Sequence, residues 1–139
     1  MGIIKASTLK LFVGLIVGGI FVLSHSTVRA ETQLSGNEFA AMLSGNTIVG
    51  DTTDGAFFKV FYATDGSMRG YSEKGDWSGT DEGTWEGEED RVCFQWSKWR
   101  SGKRYCRKAA VEGSNLYFYF LNGDLNSTAK VEKGNSHDL

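Results

Sequence analysis

Cys93 and Cys106 are the only cysteines in the 139-residue chain, and they bracket RVCFQWSKWRSGKRYCRKAAV, the stretch from Arg91 to Val111. Folded back at Trp99–Arg100, this stretch sets Cys93 opposite Cys106, Phe94 opposite Tyr105 and Trp96 opposite Lys103. Directly opposed residues of an antiparallel pair hold their Cβ atoms about 4.5–5.5 Å apart. A disulfide asks for about 3.8 Å, a small adjustment. Closing a loop of roughly 14 residues contributes about 3 kcal/mol on the loop-entropy estimate, a large share of a small domain's stability. The pair therefore predicts a stapled hairpin at the centre of an all-β domain. Its wide spacing is that of a structural staple, since a redox pair would sit in a close CxxC-like arrangement.

Residues 1–30 read as a signal peptide. Lys5 and Lys10 give a positive start, Leu11–Leu23 is an apolar run, and Val28-Arg29-Ala30 ends it with small residues at the cleavage positions. The run is 13 residues, short of the roughly 20 that span a bilayer, so no stable membrane anchor is expected after cleavage. Export to the periplasm or the medium agrees with the disulfide, because such bonds persist in oxidising compartments. Three of the 15 basic residues and none of the 17 acidic ones fall in this segment, leaving 12 against 17, or a net charge of −5. An acidic exported chain is a poor partner for nucleic acid. Proline is absent, so the turns must be built by Gly, Asn and Asp.

Residues 31–133 are expected to form one domain, with 134–139 as a polar C-terminal tail. Ser35 and Glu38 make a capping box with Leu34 and Phe39 at the staple positions, which predicts a short helix over Gly36–Ser44. After Asn46 the chain reads as strand and turn. Thr47–Gly50 is a short strand, Ala56–Ala63 the strongest one, and Ser67–Lys74 its return across an Asp65-Gly66 type I′ turn. Residues 75–83 read as a polar loop, and a strand over residues 83–89 centres on Trp85. The stapled hairpin follows, then Asn115–Leu121 and Leu125–Val131. In the hairpin, Val92, Phe94 and Trp96 share a face with Tyr105, Arg107, Ala109 and Val111, and Arg107 is the awkward member. Both faces of Asn115–Leu121 are bulky, so one should line an interior and the other meet the helix or a partner chain. The expected fold is an antiparallel meander of seven or eight strands, a small barrel or strongly curved sheet, with one short N-terminal helix.

Few residues offer catalytic chemistry. His25 leaves with the signal peptide and His137 lies in the tail, so no triad and no zinc-spaced cluster can be assembled. No catalytic, metal-ligating or cofactor-binding residue is assigned, and no cofactor is called for. Asp81, Glu82, Glu86, Glu88, Glu89 and Asp90 form an acidic stretch that suits a carboxylate-based hydrolase only if two of them are set apart in pKa. Asp51–Gly55 lacks the later ligands of a calcium loop. Asn126-Ser127-Thr128 matches a glycosylation sequon. The hairpin tip carries Trp99, Arg100, Lys103 and Arg104, a rigid aromatic beside directed donors, which is the make-up of a protein-binding tip. Phe58, Tyr62, Trp85, Trp96, Tyr105 and Phe118 are the candidates to line a ligand pocket.

GNTIVG (Gly45–Gly50), FYATDGSMRG (Phe61–Gly70), GTW (Gly83–Trp85) and VCFQW…YC (Val92–Cys106) together resemble a family of small exported proteobacterial domains of unknown function, over residues 34–125. The resemblance implies a periplasmic or secreted domain in which helix, DG turn, GTW strand and cysteine pair recur as one layout. It brings no catalytic residues. The GTW strand is also similar to lipocalin-like and avidin-like barrels, without transferring their sites. The leading expectation is a noncatalytic binding protein, an inhibitor acting on a protein partner through residues 98–104. A carrier of a small apolar molecule in the barrel interior comes second, and the hydrolase third.

Overall fold

The computed structural model describes residues 31–139, so the expected signal peptide lies outside the described residues. Nine strands, one α-helix and a short 3-10 helix at Trp99–Gly102 occur among the described residues, in the order β1 (Thr32–Leu34), α1 (Gly36–Leu43), β2 (Asn46–Thr52), β3 (Phe57–Tyr62), β4 (Ser67–Lys74), β5 (Trp77–Glu88), β6 (Arg91–Trp96), the 3-10 helix, β7 (Tyr105–Glu112), β8 (Asn115–Tyr119) and β9 (Leu125–Glu132). From β2 onward each strand pairs antiparallel with the next, and β9 returns to pair with β2. The meander thus closes into an eight-stranded barrel, which removes both open edges.

The extra strand, β1, was not foreseen: three residues are too few to show a period. It pairs with β7 at Thr32↔Val111 and Leu34↔Ala109, on the same side of β7 as β6, which pairs only over Val92↔Arg107 to Phe94↔Tyr105. Residues 75–83 are a second correction. Only Gly75 and Asp76 form a turn; from Trp77 onward β5 runs unbroken for 12 residues and pairs with β4 from Lys74↔Trp77 to Ser67↔Thr84. Its first half escapes pattern reading because positions 79, 81 and 83, in phase with Trp85, are Gly, Asp and Gly. The third correction is the Asp65-Gly66 turn. Only Gly66 takes a positive φ (86°), whereas a type I′ turn needs it at both residues. Asp65 instead accepts the Ser67 amide at 2.9 Å.

The helix closes one end of the barrel. Its capping box forms as expected: Ser35 Oγ accepts the Glu38 amide and the Glu38 carboxylate accepts the Ser35 amide. Phe39 enters the barrel edge-on to Tyr62, Trp85, Phe94 and Phe118, with ring centroids 5.8 to 6.4 Å away. Leu43, Met68, Ile48, Val92 and Leu116 are fully buried in the same core. The helix lies this close to β5 because two glycines face each other. A Cβ on Gly36 would come 2.0 Å from the Glu88 carbonyl oxygen, and one on Gly87 would come 2.1 Å from that of Gly36.

Outside the barrel, Cys93 and Cys106 stand opposite each other and are joined. The residues after Lys133 are tied to the wall rather than free. Thr47 Oγ1 donates to the Gly134 carbonyl at 2.7 Å, and the Gly134 amide donates to Asn46 Oδ1 at 3.0 Å. Tyr117 and Tyr119 remain half-buried on the outer face of β8. No helix among the described residues is long and apolar enough to cross a membrane.

Candidate functional site

The barrel end opposite α1 is open. Its mouth holds a cavity of about 300 Å³, and Tyr62, Phe94 and Phe118 form the floor. These three rings also touch Phe39, so they separate the mouth from the plugged end. Ile48, Phe58, Val60, Trp96, Trp99 and Tyr105 supply an apolar wall, and Trp77 stands at the rim. Five of the six residues expected in a pocket border the cavity: Phe58, Tyr62, Trp96, Tyr105 and Phe118. Trp85 does not. It is buried at the helix end, where its indole Nε1 donates to the Ser67 and Ala63 carbonyls at 3.1 and 3.3 Å.

One side of the mouth is cationic. Arg107, the awkward interior residue of β7, is only 6% exposed. Its guanidinium lies against the rings of Tyr105 and Phe120, 4.8 and 4.4 Å from their centroids. Nε donates to Asn126 Oδ1 at 3.3 Å and Nη1 to the Cys106 carbonyl at 2.9 Å. Neither acceptor carries charge. The sequon asparagine is thereby turned into the mouth, where it borders the cavity with Ser127. Burial, with the Arg100 charge added to it, pushes the Arg107 guanidinium below its ordinary pKa. Arg100 itself lies 4.2 Å from the Tyr105 centroid. Burial raises the Tyr105 phenol above its ordinary range, so it is neutral, and its oxygen accepts the Trp96 indole N–H at 2.9 Å.

The hairpin tip is folded onto the mouth. Trp99 is half-buried, packed on Trp96 at 4.7 Å between centroids and edge-on to Trp77 at 6.3 Å. Gly70 on β4 makes room, since a Cβ there would meet the Trp96 ring at 2.6 Å and the Trp99 ring at 3.1 Å. Asp81, buried on β5, holds the tip in place. Its Oδ2 accepts the Lys98 and Trp99 amides, both at 2.8 Å, and its Oδ1 accepts the Glu82 amide at 2.9 Å. Burial alone would raise the Asp81 pKa, but the three amides outweigh it and hold the carboxyl below its ordinary value. This latch was invisible in the sequence, where Asp81 is one acid among six.

Of the four tip residues singled out in the sequence, only Arg100 and Trp99 border the cavity. Lys103 is exposed, and Arg104 lies on the outer wall, paired with Glu86 at 2.7 Å and with Glu88. None of the six acids borders the mouth cavity. Asp54 of the weak calcium-like loop is paired with Lys74 at 2.8 Å. Among the described residues, Glu88 with Cys93 and Cys106 forms a grouping of metal-ligand spacing, but both sulfurs are spent in the disulfide.

Fold and site together define a class: a small closed antiparallel barrel, plugged by a helix at one end and carrying an aromatic and cationic cavity at the other. No known family model, curated protein or solved structure matches the chain.

Proposed function

We propose that this is a noncatalytic binding protein of the periplasm or the extracellular medium that holds a small apolar molecule in the mouth of its barrel. The observation that carries the reading is the cavity of about 300 Å³ at the unplugged end, walled by aromatic and aliphatic side chains. Small-molecule sites are concave, mostly apolar and furnished with a few placed polar groups. This mouth has that make-up, and its volume sits at the lower bound of about 300 Å³ for such sites. The disulfide supports an oxidising compartment. The neutral fluorophore N-phenyl-1-naphthylamine is a suitable probe. Saturable binding of one molecule per chain, abolished by Val60→Phe, which extends a wall residue into the cavity, is the expected result. No saturable signal, or a signal that Val60→Phe leaves intact, overturns the assignment.

A protein partner at the hairpin tip is the second reading. Arg100 and Ser101 take positive φ values of 56° and 58°, and backbone strain at non-glycine residues clusters at functional sites. The mouth is preferred because Trp99 is packed down and Arg104 is already paired. If the tip docks a protein, replacing Arg100 and Lys103 by alanine abolishes capture of that partner while the thermal transition stays in place.

A further inference from the structure

We infer that the ligand of the mouth is an anionic amphiphile, a monocarboxylate whose hydrocarbon body lies on the aromatic wall while its carboxylate meets Arg107 and Arg100. This rests on the mouth being a small-molecule site. Burying a guanidinium without an opposite charge is costly, and buried charges are normally paired. Arg107 is buried, yet no carboxylate lies within ion-pair distance of it among the described residues. Its Nη2 makes no hydrogen bond within the described residues, while Nε and Nη1 do. Every fully enclosed side-chain nitrogen and oxygen among those residues has a partner. Nη2 therefore reaches open space, and Arg107 borders the cavity.

Two further donors face the same place. Arg100 borders the cavity and has no acidic partner among the described residues. Tyr105 Oη accepts from Trp96 but has no acceptor for its own hydrogen among the described residues. Arg107 Nη2, the Arg100 guanidinium and the Tyr105 O–H thus present donors with no acceptor among the described residues. Both positive charges border the cavity, so an anion held there is attracted by each of them. A planar guanidinium offers two parallel N–H groups to a carboxylate, although Nη1 already holds the Cys106 carbonyl. Apart from Thr52, Ser72, Asn126 and Ser127, the remaining lining is Ile48, Val60 and aromatic rings, which suits a hydrocarbon body and not a bare inorganic anion. The protein's net negative charge elsewhere makes this local sign more telling, since general anion attraction cannot account for it.

The test compares two ligands with the same chain and different heads, decanoate and 1-decanol, as competitors of N-phenyl-1-naphthylamine. The expected result is that decanoate displaces the probe at a concentration at least tenfold lower than decanol. Arg107→Met should erase that preference, weakening decanoate relative to decanol by about tenfold to a hundredfold, the range for losing a charge-assisted hydrogen bond. Arg100→Gln, at an exposed position, should reduce the preference in part and covers the case in which Arg107→Met does not fold. Equal displacement by both competitors, a preference for decanol, or an unchanged preference in the arginine variants overturns the inference but leaves the small-molecule site standing. Failure of the neutral probe to bind wild type overturns both.

Discussion

The two ends of the barrel are built from the same kinds of residue and do opposite things with them. At the helix end, Phe39 is pressed between four aromatic rings and Trp85 finds two backbone acceptors. At the mouth, Trp96, Trp99, Tyr105 and Phe58 surround open space, and two arginines stand among them without acids. Aromatic content therefore does not distinguish core from site in a small barrel. What distinguishes them is whether a plug is present and whether polar groups among the rings are satisfied.

The contrast breaks most readily at the plug. Phe39→Ala removes the ring on which four others converge and is expected to cost about 3–5 kcal/mol in urea unfolding, the range for a buried Phe. Phe58→Ala, half-buried with one side on the cavity, should cost less than half as much, because little packing is lost on that side. Equal costs would mean that the mouth is packed as tightly as the plug. The staple comes next. Reducing Cys93–Cys106, or replacing both by serine, should lower stability by about 3 kcal/mol. It should also weaken probe binding, because the hairpin supplies Trp96, Trp99, Arg100, Tyr105 and Arg107 to the mouth. Loss of stability with unchanged binding would show that the hairpin keeps its shape without the bond.

Sequence reading reached the meander and the staple because both leave local marks. Strands β3, β6 and β8 alternate or run apolar, the turns carry Gly or Asn, and the Cys93↔Cys106 register follows from counting. It reached α1 through the capping box. It missed the first half of β5 because its interior positions are filled by Gly79, Asp81 and Gly83, which give no apolar signal. Depth along the barrel axis leaves no periodic mark at all. Trp85 and Trp96 therefore read alike, and only the folded chain sets one beside the plug and the other in the mouth. The interior position of Arg107 was legible from the alternation of β7; that its charge faces a cavity was not. Whether Trp99 projects or folds back onto the sheet was open in the sequence, because the buried carboxylate that draws it down is 18 residues away.

That carboxylate gives a smaller and more specific effect. Asp81→Ala leaves the Lys98 and Trp99 amides without their acceptor, and an unpaired buried donor costs about 1–3 kcal/mol. The tip should then loosen, shifting tryptophan emission to longer wavelength and weakening probe binding. The pH dependence has a definite sign. The Asp81 carboxyl is held below its ordinary value in the fold, so its stabilisation is fully present above the unfolded carboxylate range, about pH 4. It is lost as the pH falls through the lower folded value. Wild type should therefore lose stability on acidification below about pH 4 more steeply than Asp81→Ala, and parallel curves would remove Asp81 from the latch.

The smallest expected effect tests whether the two ends act independently. Ser35→Ala deletes the hydroxyl that accepts the Glu38 amide and should cost about 1 kcal/mol, the usual value of an N-cap. The substituted side chain lies outside the layer of Tyr62, Phe94 and Phe118 that floors the cavity. Distant sites with no shared partners act additively, so probe affinity measured well below the unfolding transition should stay at the wild-type value. The cost of Ser35→Ala should likewise be the same in the Arg107→Met background as in wild type. A non-additive double variant, or weaker binding in Ser35→Ala alone, would mean that the plug transmits its position through the aromatic floor, making the helix part of the binding apparatus and not only the closure of the barrel.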